Sequence, residues 1–109
     1  MLTNYHTLSY ITSSLNSRIS GLRVAEIFSQ ERDQLAITLD RSQETLIISC
    51  RPDANVLYLH PKFTRAKSNT ANILVMCWGK RIESVAMHPF DRVVMIGLES
   101  DLTLCAQFF

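Results

Sequence analysis

Leu8, Ile11, Leu15 and Ile19 recur at steps of three and four, which puts them on one face of a helix near the start of the chain. Thr3 or Asn4 is placed to cap its N-terminus, and Gly21 stands where a helix ends on a left-handed residue. The period then changes from helical to alternating. Val24, Ile27 and Phe28 form the apolar part of a first strand, with Glu26 inside it or at a bulge. Leu35, Ile37 and Leu39 alternate in a second strand, and Leu46, Ile47 and Ile48 make a third. Val56 to Leu59 predict a fourth, closed by His60-Pro61. Residues 62–70 are polar and basic and predict a loop.

This pattern returns 58 positions later. Gly21-Leu22-Arg23-Val24 reappears as Gly79-Lys80-Arg81-Ile82. Ile27 then matches Val85, Asp33 matches Asp91, Leu35 matches Val93, and Ile37 matches Met95. Leu46 and Ile48 fall on Leu104 and Ala106, while Leu15 and Ile19 fall on Ile73 and Cys77. Residues 69–78 therefore predict a second helix closed by glycine. The match breaks at Leu39, which meets Gly97. Two helix-plus-antiparallel-strand units are expected, and neither covers its own apolar faces. They should pack sheet against sheet as an α+β sandwich with helices at the margins.

With 109 residues, the chain has room for one domain, and 47% hydrophobic content supplies its core without metal or disulfide. Charged residues make up only 19%, which argues against disorder. A net charge of +1 gives no global basic field, so any nucleic-acid partner must be met by a local patch. Cys50, Cys77 and Cys105 each lie in an apolar run without zinc-type spacing, and are expected to be buried, reduced thiols. The longest apolar run, residues 73–78, is too short for a membrane span, and no secretory signal opens the chain. A cytoplasmic location is the expectation. The chain ends on Gln107-Phe108-Phe109 inside a strand pattern, as expected of the front part of a longer protein starting at Met1.

Enzyme chemistry finds little footing. No nucleophile elbow, zinc-protease motif, phosphate loop or carboxylate cluster is present, so no catalytic residue, metal or cofactor is assigned. His60 and His88 precede prolines and fit strand ends better than general bases. The turn from Met87 to Arg92 differs, because it links two strands, contains a proline and presents Asp91 beside Arg92. Its counterpart, Glu31-Arg32-Asp33-Gln34, keeps the aspartate and replaces the arginine. An arginine in one copy suggests a binding role, whereas the shared aspartate fits a turn requirement as well as a contact. In the loop, Lys62, Arg65 and Lys67 with the interleaved Phe63 suit a nucleic-acid backbone, with a solvated loop over a tucked-in phenylalanine as the open alternative.

Leu2-Thr3-Asn4-Tyr5, Ser20-Gly21 leading to Val24-x-x-Ile27-Phe28-Ser29-Gln30, Leu46-Ile47-Ile48-Ser49-Cys50-x-Pro52 followed by Asn55 to His60, Trp78-Gly79-Lys80-Arg81-Ile82 and His88-Pro89-x-Asp91-Arg92 follow one another in this order. Together they resemble the front part of the N-terminal domain of the NFACT family (FbpA, RqcH and NEMF-like proteins). The similarity covers residues 1–109. It implies a non-enzymatic factor of ribosome-associated quality control, which binds the obstructed large ribosomal subunit and recruits charged tRNA for C-terminal tailing, with alanine in bacteria. The family's Asp-Arg motif, implied to recognise tRNA, falls on Asp91 and Arg92. Some bacterial members are labelled fibronectin-binding proteins, so an adhesin-type protein-binding domain is the alternative. The resemblance also implies a fold similar to the N-terminal domain of formamidopyrimidine-DNA glycosylases. Leu2 and Thr3 stand where those enzymes carry their proline and glutamate, so glycosylase activity is not expected. Oligomeric state is not legible.

Overall fold

The computed structural model describes residues 5–108, so the expected caps Thr3 and Asn4 lie outside the described residues. Helix α1 (Tyr5–Ile19) buries Leu8, Thr12, Leu15 and Ile19, with Ile11 half-buried on the same stripe. Thr12 is tolerated there because its hydroxyl donates to the Leu8 carbonyl at 2.7 Å. Gly21 ends the segment at φ 93, in the region that favours glycine.

Four strands follow as an antiparallel meander: β1 (Val24–Ser29), β2 (Gln34–Leu39), β3 (Thr45–Arg51) and β4 (Ala54–His60). A two-residue strand, β5 (Ala71–Asn72), closes the far side, giving the order β4-β3-β2-β1-β5. The second sheet holds β6 (Ile82–Met87), β7 (Val93–Leu98) and β8 (Leu102–Gln107) in sequence order. One core cluster joins α1 to both sheets, from Leu8 and Leu15 through Ile27, Ile37 and Leu46 to Val85, Ile96 and Leu98. Among the described residues the fold is thus α+β, with one α-helix and two antiparallel sheets.

A second helix does not form. Residues 69–78 instead supply β5 and a single 3-10 turn, Val75–Cys77. The physical reason is competition from the sheet: Ile73 N–H donates to the Ile27 carbonyl at 3.0 Å, so this segment's backbone extends the edge of β1. The β-branched Ile73 and Val75 add little resistance to that outcome. Even so, Cys77 is buried at the place corresponding to Ile19, and Gly79 follows at φ 81 as Gly21 follows α1.

The repeat is physical. The two Gly-x-Arg segments pair with each other across a local pseudo-two-fold axis that passes between Arg23 and Arg81. Gly21 N–H donates to Ile82 O at 2.7 Å, and Gly79 N–H to Val24 O at 2.7 Å. Val24 N–H donates to Lys80 O at 2.9 Å, and Ile82 N–H to Leu22 O at 2.8 Å. Both first strands shift register at the same place, between Val24 and Glu26 and between Ile82 and Ser84. A bulge at the second residue of the first strand in each unit therefore belongs to the shared architecture.

Strand register corrects part of the sequence alignment. Ile27 pairs with Ile37, and Val85 pairs with Ile96, so Ile37 corresponds to Ile96 and not to Met95. Likewise Leu39 corresponds to Leu98, and Gly97 takes the place of Thr38, which removes the mismatch. The first hairpin loop spans residues 30–33 and the second residues 88–92, one residue longer. The next turn is correspondingly shorter, so Leu46 still corresponds to Leu104. Gly97 lies close to the neighbouring strand: a Cβ there would stand 2.9 Å from Ser84 Oγ, so a larger residue would have to turn that hydroxyl aside.

Like charges opposed on a ladder repel, and a carboxylate offsets this at the dyad. Glu99 Oε1 accepts from Arg81 N–H at 3.1 Å and lies 2.7 Å from Arg23 Nη1. The Arg81 amide hydrogen bond, and then that from Arg23, hold the Glu99 carboxyl below its ordinary value. A depressed folded-state value stabilises the fold fully above the unfolded value, near 4.5, and this contribution is lost as pH falls through the lower folded-state value. Glu99→Gln is therefore expected to lower the denaturation midpoint at neutral pH. The two midpoints should converge in acid, as urea titrations at stepped pH would record.

Candidate functional site

The β6–β7 hairpin is built from a bulged strand, a five-residue loop and the central strand of the smaller sheet. His88 N–H closes it by donating to Val93 O at 2.9 Å. Pro89 has no amide hydrogen to satisfy and a restricted φ, which stiffens the turn. Phe90 N–H donates to His88 Nδ1 at 3.2 Å, which places the proton of the neutral ring on Nε2. Asp91 Oδ2 lies 3.6 Å from the same Nδ1, a contact that carries charge only when the imidazole is protonated. The start of α1 ties the loop down, since the Tyr5 hydroxyl lies 3.0 Å from Pro89 O and 3.3 Å from His88 O.

Asp91 and Arg92 are thus brought together on one hairpin, but not at equal height. Asp91 is exposed, whereas Arg92 is half-buried at the base, where its carbonyl accepts from Phe108 N–H at 2.8 Å. The apex belongs to Phe90 and Asp91. Asp33 also ceases to be the structural counterpart of Asp91: it sits at φ 58 immediately before β2, the place Arg92 holds before β7. A shared turn requirement for the two aspartates has no basis in the register.

The basic loop is more inward than its composition suggests. Phe63 packs half-buried on a second small cluster of Phe28, Ala36 and Ile47, which covers the other face of the larger sheet. Arg65 is engaged internally. Its guanidinium lies 4.5 Å from the Phe28 ring centroid, donates to Thr70 Oγ1 at 3.0 Å and Asn72 Oδ1 at 2.7 Å, and sits 3.6 Å from Glu26. Lys62 and Lys67 are exposed. Phe63 therefore takes the tucked-in alternative, and Arg65 serves to hold the loop to the sheet.

The thiols divide in the same way. Cys77 is buried and Cys50 half-buried, but Cys105 is exposed, which corrects the expectation of three buried residues. Burial raises the Cys50 thiol pKa, with the Asp33 carboxylate adding to it, and burial likewise raises Cys77. Neither change favours a thiolate nucleophile. Cys50 opens on an apolar cleft of about 390 Å³ between the sheets, lined by Leu35, Ile48, Ile96 and Leu104. Among the described residues, no group of three or more His, Cys, Asp or Glu is placed to hold a metal ion. No helix among them is long and apolar enough to cross a membrane.

Sequence reasoning passed over Phe90 and Tyr5. A large aromatic in an otherwise polar turn was a usable signal for the first. The second depends on a contact across more than eighty positions, which local pattern does not reveal.

The fold is an antiparallel two-sheet arrangement with a duplicated bulge, and comparison of the chain with known families gives its class. Residues 4–103 match the family described as NFACT N-terminal and middle domains, and the chain belongs to that family. Among solved structures, it is similar to the N-terminal domain of the fibronectin-binding protein PavA from Streptococcus pneumoniae, with 19% identity and a TM-score of 0.74. The match covers 95% of this chain and 44% of that one, so the chain spans under half of that structure. At that identity the likeness establishes the fold. No curated protein matches the chain in sequence.

Proposed function

We propose that this chain is an RNA-binding module of a ribosome-associated quality-control factor. In that role it helps the protein engage the obstructed large ribosomal subunit and recruit charged tRNA for C-terminal tailing. It works in the cytoplasm and performs no chemistry of its own. The observation that carries the proposal is membership of the NFACT family over a stretch that includes the Asp91-Arg92 hairpin. The hairpin's geometry supports it: a cation stands beside an exposed apex on a rigid sheet, pinned from α1. Arg92 meets a phosphate or base edge, Asp91 shapes the contact, and Lys62 and Lys67 add backbone attraction from the loop.

The full-length protein is expected to bind tRNA with an affinity that falls steeply with salt, as counterions are released from each neutralised phosphate. Filter binding or fluorescence anisotropy from low to physiological salt measures this; absence of tRNA binding at low salt contradicts the proposal. One observation favours a second reading: the similar solved structure comes from a protein named for fibronectin binding. Capture of soluble fibronectin by the purified protein, without affinity for tRNA, would select it.

A further inference from the structure

Phe90 is the most exposed large apolar side chain among the described residues, at 86%. Scattered apolar residues on a surface need no explanation, but this one occupies a costly and unusual place. Hairpin apices favour Gly, Asn, Asp and Ser, which supply turn geometry at no hydrophobic cost. The protein also contains its own control. The first unit's equivalent loop carries Glu31, Arg32 and Asp33, all exposed and polar, so the shared architecture requires no aromatic. The aromatic coincides with the loop that is one residue longer.

The ring is also held ready. The Phe90 amide is bonded to His88 Nδ1, Pro89 restricts the preceding residue, and the Tyr5 hydroxyl anchors the Pro89 carbonyl. The His88 ring meets Phe90 edge-on, with centroids 6.2 Å apart. An outward phenylalanine has few rotamers to lose when a flat partner covers it. Asp91 and Arg92 follow directly, which puts polar and cationic groups beside the ring.

We infer that Phe90 is a base-stacking residue, receiving an unpaired RNA base on its face while Arg92 engages the adjoining backbone or base edge. The inference rests on the RNA-binding role proposed above. Stacking needs a base that is splayed out or single-stranded, so the target is a loop or end of RNA and not continuous duplex.

The test uses the full-length protein with Phe90→Ala, Phe90→Leu and Phe90→Trp, against tRNA, a single-stranded RNA and a duplex RNA of equal length. Equal thermal midpoints first establish that the folds match. Phe90→Ala and Phe90→Leu are expected to weaken tRNA and single-strand binding by about tenfold, with the salt slope unchanged because no phosphate contact is lost. Phe90→Trp should retain affinity, and its added fluorescence should be quenched by single-stranded RNA more than by duplex. If wild type binds tRNA and Phe90→Ala binds it equally, stacking is overturned while the RNA-binding role stands. Full affinity in Phe90→Leu overturns it too, because leucine has no π face. Loss of ribosomal-subunit binding with RNA affinity unchanged assigns the ring to a protein pocket and also overturns it. If wild type binds no RNA, the underlying role fails first and the inference with it.

Discussion

Ile37→Ala and Ile96→Ala are each expected to lower the unfolding free energy by about 2–5 kcal/mol, the usual cost of emptying a buried aliphatic site. Both side chains are 1% exposed, and both face the single cluster that joins α1 to the two sheets. They occupy corresponding places, Ile37 between Ile27 and Leu46, and Ile96 between Val85 and Leu104. The losses should therefore be of similar size, although the residues belong to different sheets. Against a total stability of roughly 5–15 kcal/mol for a domain, either change is severe. Met95→Ala is the informative control. The 58-residue spacing would make Met95 the partner of Ile37, but it is half-buried on the other face of β7, so its loss should be smaller. Urea denaturation followed by circular dichroism measures all three. A small effect at Ile96 with a large one at Met95 would refute the register, and a separate transition for each sheet would refute the shared core.

Arg92→Ala is expected to reduce the tRNA affinity of the full-length protein by about tenfold or more, since a charge-assisted hydrogen bond contributes roughly 1.5–3 kcal/mol. Stability should move by less than about 1 kcal/mol, because the residue ends a loop outside the buried core. Arg92→Lys separates the two modes of contact. A phosphate contact survives in part through the retained charge, whereas bidentate contact to a base edge is lost. The salt dependence distinguishes them again: removal of one phosphate contact lowers the slope by about one, and removal of a base contact leaves it unchanged.

Much of the fold was written locally. The spacing of Leu8, Ile11, Leu15 and Ile19 fixed the stripe of α1, and alternation gave the strands. Gly21 and Gly79 marked the positive-φ positions that lead into the first strand of each unit. What escaped depended on distant partners. Residues 73–78 share glycine-closed, apolar character with the first helix, yet the edge of β1 offered its backbone an alternative. The hairpin offset stayed hidden because one residue gained in the first loop is lost in the next turn, so the first and third strands keep their spacing of 58. At the site, the Asp91-Arg92 pair was legible as a motif, but its heights were not. Which side chain stands at an apex and which at a base depends on loop length and on Tyr5, neither visible in the pair itself. Arg65 looked like a free cation for the same reason, since Thr70, Asn72, Glu26 and the Phe28 face are brought to it only by folding.

Co-sedimentation of the full-length protein with purified large ribosomal subunits bearing peptidyl-tRNA tests recognition through this hairpin most directly. Wild type should pellet with the subunits at physiological salt, and Arg92→Ala should remain largely in the supernatant. Equal pelleting of the two proteins, with unchanged tRNA affinity, would contradict it.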